Sequence, residues 1–212
     1  MPSRVPTNRE IEVKLAVADI PALLRDLKRL GARNRGRSFE QNTLYDTPQS
    51  DFRRRRWLLR LRTETPARSS FAPPAPRCSL LTFKSPPPPA RNLAAGARSH
   101  ANARRYKDKL ERETALAQSA LWPAMLRSLG FRPGFRYEKY RTEFRLGSLH
   151  VSLDETPVGV FLELEGAMPA IDKVASDLNF SPSDYIRATY WDLYVAHCRR
   201  TRRMPRNMLF HA

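Results

Sequence analysis

The chain has 212 residues, 41% of them hydrophobic, and its 38 Lys and Arg against 21 Asp and Glu give a formal net charge of +17. That length allows one large domain or two small ones with a real core, and the apolar runs are too short for a membrane-spanning helix. Two cysteines exclude a disulfide framework and a zinc cluster of cysteines. The polar start of the chain carries no secretory signal, so we expect a cytoplasmic protein. The charge predicts an anionic partner: nucleic acid, an anionic surface or a polyphosphorylated small molecule.

The first predicted element is a strand at residues 9–15, where apolar and charged residues alternate. Glu10, Glu12 and Lys14 fall on one face, and the aliphatic residues between them fall on the other. Two acids beside a lysine form half of a site for a divalent cation and a phosphorylated group. The alternative is an edge strand that presents a charged face to water.

A helix with leucines at helical spacing is predicted next, at residues 19–31. Residues 39–46 are predicted to form a second strand, and residues 51–56 are too charged to assign. A third strand at 57–63 alternates again and places Arg60 and Arg62 together on one face.

Two segments rich in Pro, Ala, Ser and Arg interrupt this pattern, near residues 64–78 and 85–105. Neither can bury enough apolar surface to fold alone, so both are predicted to be mobile loops. Their arginines are interpreted as solvated, with anion contact as the alternative. Between them, a strand at 79–84 places Thr82 and Lys84 on one face.

The second half of the chain is predicted to contain four more strands and three helices. The strand at 106–114 has four charged residues on one face: Lys107, Lys109, Glu111 and Glu113. A helix at 118–129 precedes strands at 136–146, 148–155 and 159–166, whose charged faces carry Lys139, Arg141, Asp154, Glu163 and Glu165. Helices are predicted at 171–178 and 183–197, and the basic tail at 198–212 is predicted to be disordered.

About eight strands therefore share a charged face opposite an apolar face. The amphipathic helices need something to cover, and the apolar faces match them, so the sequence favours a barrel with helices outside and charges inside. The alternative is a sandwich whose charged face is ordinary solvated surface. Because charges in a dry interior are very costly, the barrel would enclose a hydrated tunnel that needs a bound partner.

The residue types in the tunnel indicate what that partner is. Mg²⁺ or Mn²⁺ prefers oxygen ligands, usually one or two carboxylates together with substrate phosphates. Arginine binds phosphate through a planar fork of donors, and lysine acts as a point charge. Positioning and charge neutralisation are most of what phosphoryl transfer asks of a protein, so the pattern predicts a triphosphate-processing site.

The Glu10-x-Glu12-x-Lys14 pattern resembles the ExExK signature of the CYTH family, the triphosphate tunnel metalloenzymes. Further motifs follow in the family's order: QNTLYDT at 41–47, LRLR at 59–62, LTFK at 81–84, KLERE at 109–113, EKYR at 138–141, LDETPVG at 153–159 and FLELEG at 161–166. IRATYWDLY at 186–194 resembles the family's closing helix. The similarity spans residues 8–197, which we interpret as a single CYTH domain followed by the basic tail at 198–212.

The resemblance implies an α+β fold, with an eight-stranded antiparallel closed β-barrel and helices packed outside it. It implies Mg²⁺ or Mn²⁺ bound by Glu10, Glu12, Asp154, Glu163 and Glu165. It implies a triphosphate bound by Lys14, Arg60, Arg62, Lys84, Lys139 and Arg141. Lys139 paired with Tyr45 is the expected water-activating couple, and Lys84 is a second catalytic candidate. Glu111 and Glu113 are expected to support the basic groups.

Three functions remain open at this point. The first is a metal-dependent hydrolase acting on inorganic, nucleoside or thiamine triphosphate. The second is a class IV-like adenylate cyclase that converts ATP to cyclic AMP and pyrophosphate. The third is a non-catalytic module that binds polyphosphate or RNA. The expected partner is a small-molecule triphosphate, with weak nucleic-acid contact through the basic tail as an addition; no membrane contact is expected, and the protein is expected to be a monomer or homodimer.

Overall fold

The computed structural model describes residues 8–67, 78–88 and 105–210. Most of both low-complexity segments, and with them the predicted mobile loops, lie outside these residues. The described parts contain eight strands: β1 Asn8–Val17, β2 Arg33–Asp46, β3 Leu58–Pro66, β4 Cys78–Ser85, β5 Lys107–Ala115, β6 Arg132–Leu146, β7 Leu149–Thr156 and β8 Gly159–Glu165. They also contain five α-helices: α1 Ile20–Arg29, α2 Asp51–Arg54, α3 Trp122–Ser128, α4 Met168–Asp177 and α5 Tyr190–Arg200.

The strands form a closed barrel in the order β1-β5-β4-β3-β2-β6-β7-β8, and every neighbouring pair is antiparallel. The barrel closes where β1 pairs with β8, with Glu12 opposite Glu165 and Lys14 opposite Glu163. Successive side chains alternate between the outer face and the lumen. The predicted α+β fold with an eight-stranded closed barrel is confirmed.

The apolar core lies outside the barrel wall, between the wall and the helices. Aliphatic residues of β1, β7 and β8 pack there against α1 and α4: Val13, Leu15, Val151, Leu153, Leu162, Leu164, Leu23, Leu27 and Ile171. Each fully buried side chain of this size contributes roughly 1.5–3 kcal/mol of transfer free energy. This layer holds the wall in register, so the strand faces turned away from it must form the lumen.

Several elements differ in extent from the prediction. The unassigned residues 51–56 contain the short helix α2, whose first backbone amides at Phe52 and Arg53 donate to the carboxylate of Asp46. β2 and β6 are longer than predicted because they pair from Arg33 opposite Arg145 to Asp46 opposite Arg132. The added residues of β2, 33–38, are mostly polar or charged, and those of β6, 132–135, include Pro133 and Gly134, so neither stretch shows an alternating pattern.

The last helix was predicted to begin at residue 183, and this is wrong. α5 begins at Tyr190 because Thr189 and Asp192 form a capping box there. Before it, Pro182–Asp184 form a single 3₁₀ turn, and Ile186 donates its backbone amide to the carbonyl of Lys14.

The predicted disorder of the basic tail is also wrong for residues 201–210. Met208 is fully buried, and its backbone exchanges hydrogen bonds with Arg136 and Glu138 of β6. Phe210 packs against the ring of Tyr140. The tail therefore docks along β6, while residues 211–212 lie outside the described part. None of the helices in the described residues is long and apolar enough to cross a membrane.

Candidate functional site

Charged side chains from all eight strands face the lumen. The cations are Lys14, Arg60, Arg62, Lys84, Lys107, Lys109, Lys139, Arg141 and, by its place in the alternation of β6, Arg145. The carboxylates are Glu10, Glu12, Glu40, Glu64, Glu111, Glu113, Glu143, Asp154, Glu163 and Glu165. The barrel thus brings all of the predicted metal and phosphate ligands, although not Tyr45, to one lumen.

The two ExE motifs meet at the seam between β1 and β8. Glu12 lies opposite Glu165 in the register, and Glu163 lies opposite Lys14. Lys107 Nζ is 2.9 Å from Glu12 Oε1, and Lys84 Nζ is 2.7 and 2.6 Å from the two oxygens of Glu10. Because most of these acids point at a lysine or arginine, no group of three or more His, Cys, Asp or Glu in the described residues has metal-holding geometry.

Burial and neighbouring charges shift the pKa values of these acids in opposite directions. Burial raises the pKa of Glu10 to about 7, because it outweighs the attraction of Lys84. Burial would also raise the pKa of Glu12, but Lys107 and the other lysines lower it to about 2. Burial raises the pKa of Glu165 above its ordinary value. The seam therefore holds acids that differ in how readily they take up a proton.

Asp154 is the most heavily bonded carboxylate of the lumen and is fully buried. It accepts hydrogen bonds from Lys139 Nζ at 2.8 Å and from two nitrogens of Arg141 at 2.7 Å each. The Nη2 atom of Arg141 also donates to Glu163 Oε2 at 2.5 Å. One guanidinium nitrogen therefore lies between two carboxylates, in the kind of position that a small cation would take.

Tyr190, the first residue of α5, enters the same cluster from outside the sheet. Its hydroxyl donates to Asp154 Oδ2 at 2.6 Å and lies 3.1 Å from Glu163 Oε1. The ammonium groups of Lys14 and Lys139 lie 4.6 and 5.3 Å from the centre of its ring. Burial, together with the two carboxylates, raises its pKa well above the ordinary value. Sequence reasoning missed Tyr190, since strand alternation says nothing of a helix that reaches the lumen.

Arg60 and Arg62 form a basic wall on β3. Arg60 lies 3.2 Å from the hydroxyl of Thr82, and Arg62 lies 2.8 Å from Glu64 Oε1. Within the described residues, the buried Nε atoms of both arginines have no hydrogen-bond partner. Unpaired buried donors are rare in proteins, so this wall is suited to an acceptor that the protein does not itself supply.

Two acids on β5 contact the basic groups, in the positions expected for supporting residues. Glu113 Oε2 is 3.5 Å from Arg60 and 3.7 Å from Arg62, and Glu111 is 3.4 Å from Lys84. Glu113 thus lies between the two arginines and offsets the repulsion between their charges.

Glu40 is a second residue that sequence reasoning missed. It is fully buried, and its carboxylate lies 3.4 Å from Arg62, 3.4 Å from Lys139 and 3.6 Å from Arg141. The signal was present in the sequence, because Glu40 alternates with Asn42 on the strand predicted at 39–46.

The expected pairing of Lys139 with Tyr45 does not occur in this structure. Tyr45 lies on the outer face of the barrel, where it packs against Leu59 and Leu126. The residue that follows Asn42 on the inner face is Leu44, which lies opposite Arg60 in the register. The predicted couple therefore requires correction, since its two members occupy opposite faces of the wall.

Lys139 and Lys84 themselves lie in the lumen, as expected for catalytic candidates. Burial lowers the pKa of Lys139, as does Arg141, but Asp154 and Glu40 outweigh them and the net pKa is raised. The pKa of Lys84 is likewise raised, because Glu10 outweighs the effect of burial. With these carboxylate partners in place, neither lysine has the depressed pKa that a general base needs.

Comparison with known proteins agrees with this geometry. Residues 8–190 match the family model described as the CYTH domain. A protein of Methanocaldococcus jannaschii named "Putative adenylate cyclase" is 24% identical over 195 residues, which cover 87% of this chain and 97% of that protein.

Solved structures with the same fold include a protein of Pyrococcus horikoshii OT3 (TM-score 0.68, 18% identity, covering 89% of this chain and 99% of that one). A "putative adenylate cyclase" of Vibrio parahaemolyticus has a TM-score of 0.66 and 20% identity, covering 89% and 98%. A "putative adenylyl cyclase" of Hippeastrum, whose structure is described as revealing a dominant triphosphatase activity, has a TM-score of 0.54 and 16% identity, covering 92% and 97%.

Proposed function

Since the chain belongs to the CYTH family, we propose that it is a divalent-metal-dependent enzyme that hydrolyses an inorganic, nucleoside or thiamine triphosphate inside the barrel. The observation that carries the proposal is the basic wall of β3. The Nε atoms of Arg60 and Arg62 are buried without a partner in the described residues. A buried donor without a partner costs about 1–3 kcal/mol, which phosphate oxygens would recover by accepting from it.

The charge balance of the lumen supports metal dependence. In the described strands its ten carboxylates outnumber its nine cations, so the lumen carries no positive excess for a polyanion. A triphosphate that entered alone would add uncompensated negative charge to a buried site, at a large electrostatic cost. Divalent cations that enter with the triphosphate remove that cost.

The residues present fit such a cation. Glu12 and Glu165 lie opposite one another, and Asp154 and Glu163 already share one guanidinium nitrogen between them. Carboxylate and phosphate oxygens are the ligands that Mg²⁺ and Mn²⁺ prefer. With Glu10, these acids would hold the ion, and the bound ion would neutralise charge that develops on the phosphate oxygens.

The chain's own contribution is an exchange of ion pairs. In this structure Lys14 is paired with Glu163, Lys84 with Glu10, and Lys139 with Asp154. When those carboxylates turn to a metal ion, the lysines become available to the triphosphate. Lys139 would then keep its burial and its neighbour Arg141, both of which lower its pKa, while losing Asp154 and Glu163, two of the three carboxylates that raise it; Glu40 remains beside it. That change would move Lys139 toward the range of a general base for water.

Cyclisation of ATP is the second candidate. The observation that favours it is the name of the Methanocaldococcus jannaschii relative, which matches over nearly its whole length. Hydrolysis is preferred because the Hippeastrum protein of the same fold bears a cyclase name and is described as having a dominant triphosphatase activity.

The test is to incubate the purified chain with tripolyphosphate, ATP and thiamine triphosphate, each with Mg²⁺, Mn²⁺ or EDTA, and to identify the products. We expect metal-dependent phosphate release that Glu12→Gln and Glu163→Gln abolish. Glu155→Gln is the matched control, since Glu155 pairs with Arg37 outside the lumen. Cyclic AMP as the main product would establish the second candidate. Full activity in EDTA or in both lumen variants would contradict the metal assignment, and tight binding without turnover would indicate a binding module.

A further inference from the structure

The charge excess of the protein lies outside the lumen. The lumen carboxylates outnumber the lumen cations, yet the whole chain carries +17. The triphosphate site therefore does not account for the basic character of the chain. The excess positive charge either binds another partner or has no binding role. Its distribution on the surface distinguishes these two possibilities.

Part of the excess is concentrated around α5. A cavity of about 350 Å³ lies between α2 and α5, lined by Arg53, Trp191, Arg199 and neighbouring residues. A second cavity of about 510 Å³ is lined by Tyr194, Arg203, Arg206 and the docked tail. Residues of α5 and of the tail line both cavities. We call the following lining residues the arginine–aromatic face: Arg53, Trp191, Tyr194, Arg199, Arg203 and Arg206.

The arginines of this face have no acidic partner. Within the described residues, none of its four arginines forms an ion pair with a carboxylate, whereas nearby Arg54 pairs with Asp51. The acid that lines the first cavity, Asp192, accepts hydrogen bonds from the backbone and hydroxyl of Thr189 in the capping box of α5. The charge of the face is therefore available to an anion.

The aromatic residues give the face a second property. The guanidinium group of Arg53 lies 5.4 Å from the ring centre of Trp191, and that of Arg55 lies 4.9 Å from the ring centre of Trp57. Each planar guanidinium group thus lies over a half-buried indole ring, and nucleobases stack on groups of both kinds. The same arginines present forked donors that match phosphate oxygens.

We propose that the arginine–aromatic face binds single-stranded nucleic acid. Its arginines track the phosphates, and Trp191 supplies a stacking platform for a base. Unpaired bases are needed for stacking, so a duplex of equal length binds more weakly. The ordered tail is part of the site, because Arg206 is held in place by its backbone amide, which donates to the hydroxyl of Tyr194.

Fluorescence anisotropy with a labelled 20-nucleotide oligouridine that ends in a 5′-hydroxyl tests this, since that end offers no triphosphate to the lumen. Four arginine–phosphate contacts predict a slope of about −3 for log K against log salt, at roughly 0.7 per contact on single strands. Arg199→Gln/Arg203→Gln should reduce the slope by about 1.4. Arg25→Gln/Arg29→Gln on α1 is the matched control and should change neither slope nor affinity.

Trp191→Ala should weaken binding about tenfold with an unchanged slope, because it removes stacking and no charge. Trp191 also packs against Phe135, so melting temperatures are compared first. If that variant fails to fold, Trp57→Phe/Trp122→Phe leaves Trp191 as the one tryptophan of the chain, and quenching of its fluorescence on addition of oligouridine reports stacking on Trp191. Arg199→Gln/Arg203→Gln should leave tripolyphosphate hydrolysis unchanged, so a failure of the nucleic-acid proposal can be distinguished from a failure of the proposed hydrolysis.

Three results would overturn the proposal. Equal weakening by the α1 control pair would show that total charge, not this face, binds the oligonucleotide. Equal affinity for duplex, or no quenching and no effect of Trp191→Ala, would show that no base is stacked. Binding to vesicles containing phosphatidylserine, without binding to oligouridine, would assign the face to an anionic membrane surface.

Discussion

Asp154→Asn is the change that most directly tests whether the lumen is one connected ion-pair network. Asp154 is fully buried and accepts from Lys139, from two nitrogens of Arg141 and from Tyr190. The substitution keeps the shape but removes the charge that neutralises two buried cations. Removing one partner of a buried pair costs about 3–5 kcal/mol. For a chain of this length, about 1 kcal/mol shifts the melting temperature by roughly 2–4 °C, so we expect a fall of about 10 °C.

The assay is thermal and urea unfolding of metal-free protein, with Asp108→Asn as the matched control. Asp108 accepts two hydrogen bonds from Arg9 at 2.7 and 3.0 Å, so the two sites share a forked geometry but differ in burial. The Arg9–Asp108 pair is largely exposed and should contribute at most about 1 kcal/mol. Tripolyphosphate should stabilise Asp154→Asn more than the native chain, because it supplies the missing negative charge. Equal melting temperatures for Asp154→Asn and the native chain would refute the network.

Three further changes test single side chains. Tyr190→Phe removes one hydrogen-bond donor to Asp154, so it should lower the free energy of unfolding, measured in urea, by about 1 kcal/mol. It should also reduce triphosphate hydrolysis, measured as phosphate release. Unchanged turnover would show that Tyr190 is not part of the site. Tyr45→Phe should retain hydrolysis within about twofold because the side chain lies outside the barrel, and a collapse of turnover would show that it reaches the lumen. Burial and Asp172 raise the pKa values of Tyr106 and Tyr185. The free energy of unfolding that these two phenols contribute is therefore fully present below about pH 10 and is lost as the pH rises above it. Tyr106→Phe/Tyr185→Phe should unfold in urea with a shallower alkaline decline, and an equal decline would show that these phenols are not the cause.

The strand period explains why most lumen residues could be predicted from the sequence. Glu10, Glu12 and Lys14 occupy alternate positions, and a closed sheet with helices outside must turn that face inward. The same alternation of side chains along β2 predicts that Tyr45 lies on the face opposite Glu40 and Asn42, because odd and even positions of one strand lie on opposite faces. The family resemblance alone suggested Tyr45, and the register gives the reason that it lies outside.

Other residues could not be found from a local pattern. Tyr190 reaches the lumen through the packing of a helix against β6, a contact between residues far apart in the chain. The tail was predicted to be disordered from its arginines, but the burial of Met208 and two backbone hydrogen bonds fix its position. Composition describes the average of a segment, whereas one buried anchor residue is enough to order it.

The distribution of charge corrects one inference that composition alone suggested. A net charge of +17 would suit a triphosphate site, but in the described strands the carboxylates of the lumen outnumber its cations. What suits the lumen to a metal and a triphosphate together is that its cations and acids are already paired, as in Lys14 with Glu163. Each pair can separate only when both members gain a new partner of opposite charge, which either ligand alone does not provide. Among the described residues, arginines without an ion pair lie instead on the outer surface, including those beside α5, so the basic character of the protein and the proposed triphosphate chemistry have separate physical origins.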